Sequence, residues 1–302
     1  METSTNGWEL SLSYRDRIGS DFSYSVTGMM FDYLTKITKY NNPTKLLTNP
    51  YAGQTQGQIW GFITDGLIQT QDKVNEINSK GIQKAISGQV WKTGDVLYTD
   101  LNGDGFVTYG ANTADDPGDR TIIGNTTPRY QFGLTLTAKW KGFDFSMFWQ
   151  GTAKRDLALS GNMFWGFSSA VQGSIFPGHL NYYRDVEADT YKGLGINTDA
   201  YFPRPYTDAN MNNKNQIVQS RYLQNGAYAR LKNMQIGYTL PASVLKKAKM
   251  QQLYLYLSGE NLVTLTKLPE HFDPETANVG VRGNGKSYFS QQALTLGLNL
   301  KF

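Results

Sequence analysis

The segment LTLGLNLKF at 294–302 alternates without a break, Leu294, Leu296, Leu298, Leu300 and Phe302 against Thr295, Gly297, Asn299 and Lys301. Successive side chains of a strand point to opposite faces, so this segment reads as a strand of about 10 residues with one apolar face and one polar or small face. Such an apolar face needs a cover, either a second protein layer or lipid.

The same period recurs upstream. Trp8, Leu10, Leu12 and Tyr14 alternate with polar neighbours, and after an Asp/Arg/Gly/Ser turn at 16–21 so do Phe22, Tyr24 and Val26. Phe132, Leu134, Leu136, Ala138 and Trp140 form a further set; Lys141-Gly142 supplies a two-residue hairpin turn, and Phe143, Phe145, Met147 and Trp149 follow. Met234, Ile236, Tyr238 and Leu240, then Leu253, Leu255 and Leu257, flank PASVLKKAKM at 241–250, which reads as a helical turn started by Pro241. This makes about seven strands, each near the length of a tilted membrane strand.

The connections are unequal. Short turns alternate with the long stretches 35–129, 151–226 and 266–291, and Tyr14, Phe22, Trp140, Phe143, Tyr238 and Phe302 gather beside the short turns. Short turns on one side, long loops on the other and an aromatic girdle predict an all-β fold: an antiparallel transmembrane β-barrel with long extracellular loops. A soluble β-sandwich alternates equally well and is the competing reading. Seven strands leave two open edges, so the chain is expected to be a fragment of a larger barrel.

Composition agrees where it discriminates. Hydrophobic residues make up only 39% of the chain but aromatics reach 13%, which argues against disorder and suits a wall with one polar face. No stretch approaches 18 uninterrupted apolar residues, so no helical span is expected. Cysteine is absent, which removes disulfides and thiolate metal sites; a net charge of +4 without a basic run argues against nucleic acid as a partner. Met1 to Gly7 is polar and lacks the apolar core of a signal peptide, so an exported protein is expected to have a missing upstream part.

Asp100-Leu-Asn-Gly-Asp-Gly105 places oxygen ligands at alternate positions before a turn glycine, the first half of a calcium loop with Asp100, Asn102 and Asp104 as ligands. Position 12 of such a loop is Ala111, so Asp115, Asp116 or Asp119 would have to close it. The neighbours WKTGDVLYTD and GFVTYG read as short strands, not EF-hand helices. A metal-free Asp/Asn/Gly turn explains the same residues, and both readings stand.

Several blocks resemble one family in consecutive order. GDVLYTDLNGDGFVT at 94–108, DRTIIGNTTPRYQFGL at 119–134, YLQNGAYARLKNMQIGYTLP at 222–241, SGENLVTLTK at 258–267, DPE at 273–275 and LTLGLNLKF at 294–302 are similar to signatures of the SusC/RagA family. WELSLSYRDRIGSDFSYSV at 8–26 resembles a hairpin of that family. The resemblance covers nearly the whole chain. It implies that residues 1–302 are the C-terminal portion of a TonB-dependent receptor barrel of about 22 strands in the cell outer membrane. The plug domain and TonB box would lie upstream. It further implies import of oligosaccharides or peptides, a SusD-like lipoprotein as lid, TonB as the energy-coupling partner, and Phe302 as the signal for barrel insertion into lipid. A passive porin or adhesin barrel, or a soluble carbohydrate-binding β module, are the alternatives.

Loop 151–226 carries Phe164, Trp165, Phe167, Tyr182 and Tyr183, with Tyr201 and Tyr206 further on. Their rings can stack on a glycan; the plainer reading is that they pack the loop upon itself or against a lid, because a long ordered loop needs an apolar core of its own. Enzymatic readings do poorly. His179 and His271 flank no nucleophile motif, and no phosphate loop occurs. Glu260, Glu270, Asp273 and Glu275 are expected to be solvated loop charges rather than a glycosidase pair.

Overall fold

The alternating segments all become strands of one sheet. A computed structural model describes residues 1–302 except 170, 171, 174, 186–192, 247, 248, 278–281, 284–287 and 289, with the backbone alone at 167–169, 172, 282 and 283. The seven wall strands are β1 (Glu2–Ile18), β2 (Phe22–Lys39), β3 (Arg129–Trp140), β4 (Phe143–Lys154), β5 (Tyr228–Thr239), β6 (Gln252–Thr266) and β7 (Ala293–Lys301). They pair antiparallel in sequence order, with β1 and β7 at the two edges, so the sheet is an unclosed stretch of barrel wall.

Register makes each face uniform. Tyr14, Val26, Leu136, Met147, Met234, Gly259 and Leu294 are successive cross-strand partners, and all lie on the outer face. The partner row on the inner face is Arg15, Ser25, Thr137, Ser146, Gln235, Ser258 and Thr295, where the Ser25 and Thr137 hydroxyls are 2.7 Å apart. A sandwich would bury the outer face against a second sheet. Here it stays open, with Leu296 81% exposed.

Phe22, Trp140, Phe143 and Tyr238 share a row near the short turns, whereas Tyr14 lies opposite Val26, four residues from Ile18, and Phe302 follows the last strand residue. Ile18, Phe22, Trp140, Phe143, Tyr238 and Leu255 are consecutive partners, and the Phe143 and Tyr238 rings lie 4.4 Å apart. Between Trp140 and Phe143 the turn residues Lys141 and Gly142 have φ of 45° and 89°, the positive pair that a type I′ hairpin turn demands. On the inner face Tyr254 lies across Gly237 and Tyr256 across Gly297. An added Cβ would meet the Tyr254 hydroxyl at 2.0 Å and the Tyr256 ring at 2.1 Å.

The strands outrun their apolar bands. β1 and β2 span 17 and 18 residues, so the long connections run over 40–128, 155–227 and 267–292 and the first turn shrinks to 19–21. Pro241 starts a short helix at Ala242–Leu245, as its sequence foretells. VLY at 96–98 is a strand, but GFVTYG is not: Val107 instead donates its N–H to Ile82 O and sits fully buried.

The wall has little buried core of its own, and the loops supply one. Phe62, Trp91, Val96 and Tyr98 from the first loop join Leu157, Phe164 and Tyr222 from the second and Leu268 and Phe272 from the third in one cluster. The helix α1 (Gln71–Lys80) adds Val74 and Ile77; Thr70 caps its start and Gly81, at φ 69°, its end. Each fully buried side chain of this size contributes roughly 1.5–3 kcal/mol, which offsets the cost of ordering long loops.

Candidate functional site

Within this loop body, residues 155–227 fold around a cleft of about 460 Å³. Its floor is set by the sequence Phe202-Pro-Arg-Pro-Tyr206. Two prolines hold φ near the extended range and remove two N–H donors, so the segment runs straight with Arg204 between them. Tyr182 and Phe202 form a parallel bridge, and Arg204 N donates to Gly94 O at 2.9 Å.

One guanidinium organises the opposite wall. Arg184 donates to the carbonyls of Leu180 and Gly195 at 2.7 Å, of Leu194 at 3.1 Å and of Tyr182 at 3.3 Å. Its guanidinium also lies 4.7 Å from the Tyr182 ring centre. Leu180, Tyr182 and Leu194 all line the cleft, so Arg184 fixes three of its residues at once.

Beneath the cleft sits a buried ion pair. Asp95 and Lys214 meet with both side chains fully buried; Lys214 also donates to Val90 O at 2.7 Å, and Asp95 accepts from Tyr206 Oη and Asn215 Nδ2, each at 2.8 Å. Burial pushes Lys214 below its ordinary value against the pull of Asp95, and burial with the same carboxylate pushes Tyr206 upward. Removing either partner would strand a charge, so the pair acts as a strut of the fold.

His179 and His271 are structural as well. His179 accepts the Phe176 N–H on Nδ1 and donates Nε2–H to Phe164 O, both at 3.0 Å; His271 Nε2 lies 2.7 Å from Met163 O. Burial lowers the His179 pKa from its ordinary 6.5.

The aromatic candidates divide between the two layers. Trp165 and Tyr182 line the cleft, whereas Phe164 and Tyr183, 1% and 2% exposed, pack into the loop core below. The Phe167 side chain lies outside the described residues. Phe202, Arg204 and Arg184 were not singled out from sequence, although two prolines alternating with aromatic and basic residues mark the segment.

At Asp100 both carboxylate oxygens accept backbone N–H groups, from Gly103 at 2.7 Å and Gly105 at 2.8 Å. Asn102 accepts from Asp104 N and Asp104 from Phe106 N, at 2.9 and 2.8 Å. Asp119 accepts from Leu101, Asn102 and Thr108 N–H groups, Asp116 from Ala111 N, and Asp115 pairs with Lys45. The segment closes on its own amides, and among the described residues no three acidic, His or Cys side chains group as a metal site.

Two of the four acidic residues expected to be solvated are not. Glu260 and Glu270 are exposed, but Asp273 is buried and meets Arg230 at 3.0 Å, and Glu275 meets Arg230 at 3.2 Å and Lys232 at 3.1 Å. The DPE segment thus docks on the inner face of β5, where the register shift between Leu231 and Asn233 returns Asn233 to the inner row.

No family model matches the chain. It is 28% identical to TonB-dependent receptor P3 of Formosa agariphila over its whole length and 25% identical to TonB-dependent receptor P26 of the same organism over 98% of it, spanning 29% of each receptor. Two solved structures of RagAB, described as a peptide transporter and as a peptide importer in an open-open state, share its fold with TM-scores of 0.67 and 0.64. Both are 20% identical and cover 99% of this chain, which matches 29% of each of theirs. Along its whole length the chain is thus similar to part of TonB-dependent receptors, and its unclosed wall has the fold of a stretch of RagAB.

Proposed function

We propose that residues 1–302 form a stretch of wall and the outer loops of an outer-membrane importer that takes up oligosaccharides or peptides with energy delivered through TonB. The observation that supports this best is the pair of unlike wall faces: an open apolar face with a girdle row outside, and hydroxyls, amides and charges inside. Lipid is the cover that the outer face lacks, and a polar lumen suits a hydrophilic cargo. TonB engages a part of the receptor outside these residues. The loop body, ordered by its own core, offers a stable platform for a SusD-like lipoprotein lid.

The test uses the full-length receptor that carries this sequence. Isolated from outer membranes in detergent, it is expected to bring down a surface lipoprotein, and uptake of its cargo should stop when TonB is removed. Partition into the aqueous phase, or uptake indifferent to TonB, would overturn the reading.

A further inference from the structure

The cleft has a chemical bias in the groups it leaves free. Its lining is largely aliphatic and aromatic, from Ile175, Leu180, Tyr182, Leu194 and Phe202, and among the described residues no carboxylate lines it. Its amides are used internally: Asn212 is bonded to Tyr206 N and O, and Asn215 to Val96 N and Asp95. Tyr206 Oη and both His179 nitrogens are also engaged. The Tyr182 and Thr207 hydroxyls carry no hydrogen bond among the described residues, and the other groups that remain are donors. Arg204 spends Nε on Thr93 O and Nη2 on Thr93 Oγ1 and Asp185, while Nη1 carries no hydrogen bond among the described residues. Trp165 Nε1 is a buried donor without a partner among them.

A sugar presents hydroxyl hydrogens that need acceptors, and this cleft has few to give. A ligand with an apolar body and an anionic acceptor edge suits it far better. We propose that the cleft binds the C-terminal residue of a peptide, an apolar or aromatic side chain lying between Leu180, Leu194 and Phe202 and its carboxylate on Arg204. The unoccupied Nη1 of Arg204 can donate a charge-assisted hydrogen bond to one carboxylate oxygen, and the volume accommodates one large residue and part of the next. Arg184 is a positioning residue, acting through the carbonyls that it holds.

This inference rests on the import reading only for where the peptide comes from. The test is calorimetric titration of the full-length receptor in detergent with the dipeptide Ala-Phe, with Ala-Phe amide and with maltotriose. Ala-Phe is expected to bind saturably and the amide about tenfold more weakly, the loss of one charge-assisted hydrogen bond. Arg204→Gln should bring the acid down to the level of the amide. Since Arg204 also ties Thr93 and Asp185, the acid-to-amide ratio on the unaltered receptor gives the same answer without a substitution. Leu180→Trp, which narrows the cleft, should weaken both forms. Equal binding of acid and amide, binding of maltotriose alone, no binding, or binding unchanged by Leu180→Trp would each overturn the proposal. A receptor that fails these tests yet imports with TonB removes the cleft assignment and leaves the import reading standing.

Discussion

Arg230, on the inner face of the barrel wall, holds Asp273 of the third loop at 3.0 Å with both side chains about 95% buried. Glu275 and Lys232 complete the cluster, and Gln150 Nε2 reaches Glu275 at 3.3 Å. Two loop carboxylates are thereby fastened to three wall residues. Arg230→Ala leaves a buried carboxylate unpaired and should cost about 3–5 kcal/mol. Limited proteolysis should then cut within 267–277 while the barrel keeps its resistance to heat in detergent; cleavage unchanged from the parent receptor would refute the fastening role.

Acid should loosen the loop body before the wall. The folded-state pKa of His179 lies below 6.5, so its contribution is fully present above pH 6.5 and is lost as pH falls from there toward the folded value. The melting midpoint of the loop transition should drop between pH 7.5 and pH 5.5, and His179→Gln should flatten that drop. A variant with the parental pH slope would assign the effect elsewhere.

Gly297 leaves the room in which Tyr256 lies, since a Cβ there would stand 2.1 Å from the ring. Gly297→Val should lower the yield of folded receptor, an overpacking cost of at least about 1–3 kcal/mol. Adding Tyr256→Ser to it should restore the yield. Failure of that second change to rescue would mean the glycine serves another purpose.

Neighbouring residues on β6 should answer differently to charge. Leu257→Arg puts a guanidinium on the outer face and should destabilise the barrel by about 2–4 kcal/mol if that position sits near mid-bilayer, whereas Ser258→Arg on the inner face should be mild. Urea unfolding in lipid vesicles measures both, and equal effects would contradict the assignment of faces.

Phe164 is 1% exposed at the centre of the shared loop core. Its replacement by Ala should cost about 3–5 kcal/mol and raise amide exchange in all three long loops together. Exchange confined to 155–227 would show that the loops are ordered separately.

The wall was readable because period two persists wherever an apolar face must be kept, as from Phe132 to Trp140 and from Leu294 to Phe302. Strand ends were not. At Tyr33 to Lys39 the strand rises past its apolar band and both faces become mixed, so the alternation fades although the pairing continues. The loop core was hidden for another reason: Phe62, Phe164 and Phe272 meet across the fold, and no local pattern carries a contact of that separation. Asp273 and Glu275 look like surface charges until β5 brings Arg230 beside them. Trp165 and Tyr182 were visible as loop aromatics, but the division between cleft and core depends on the Phe202-to-Tyr206 segment lying against them.

Because three loops share one interior, none can be exchanged as a cassette. A transplanted 155–227 segment would leave behind its packing partners from the other two loops, such as Phe62, Trp91 and Phe272. Changes in what the cleft admits are therefore expected to come from single replacements at its rim, such as Leu180 or Leu194, which are exposed and carry little of the interior. A lineage of such receptors would diversify by repainting a fixed surface rather than by shuffling its loops.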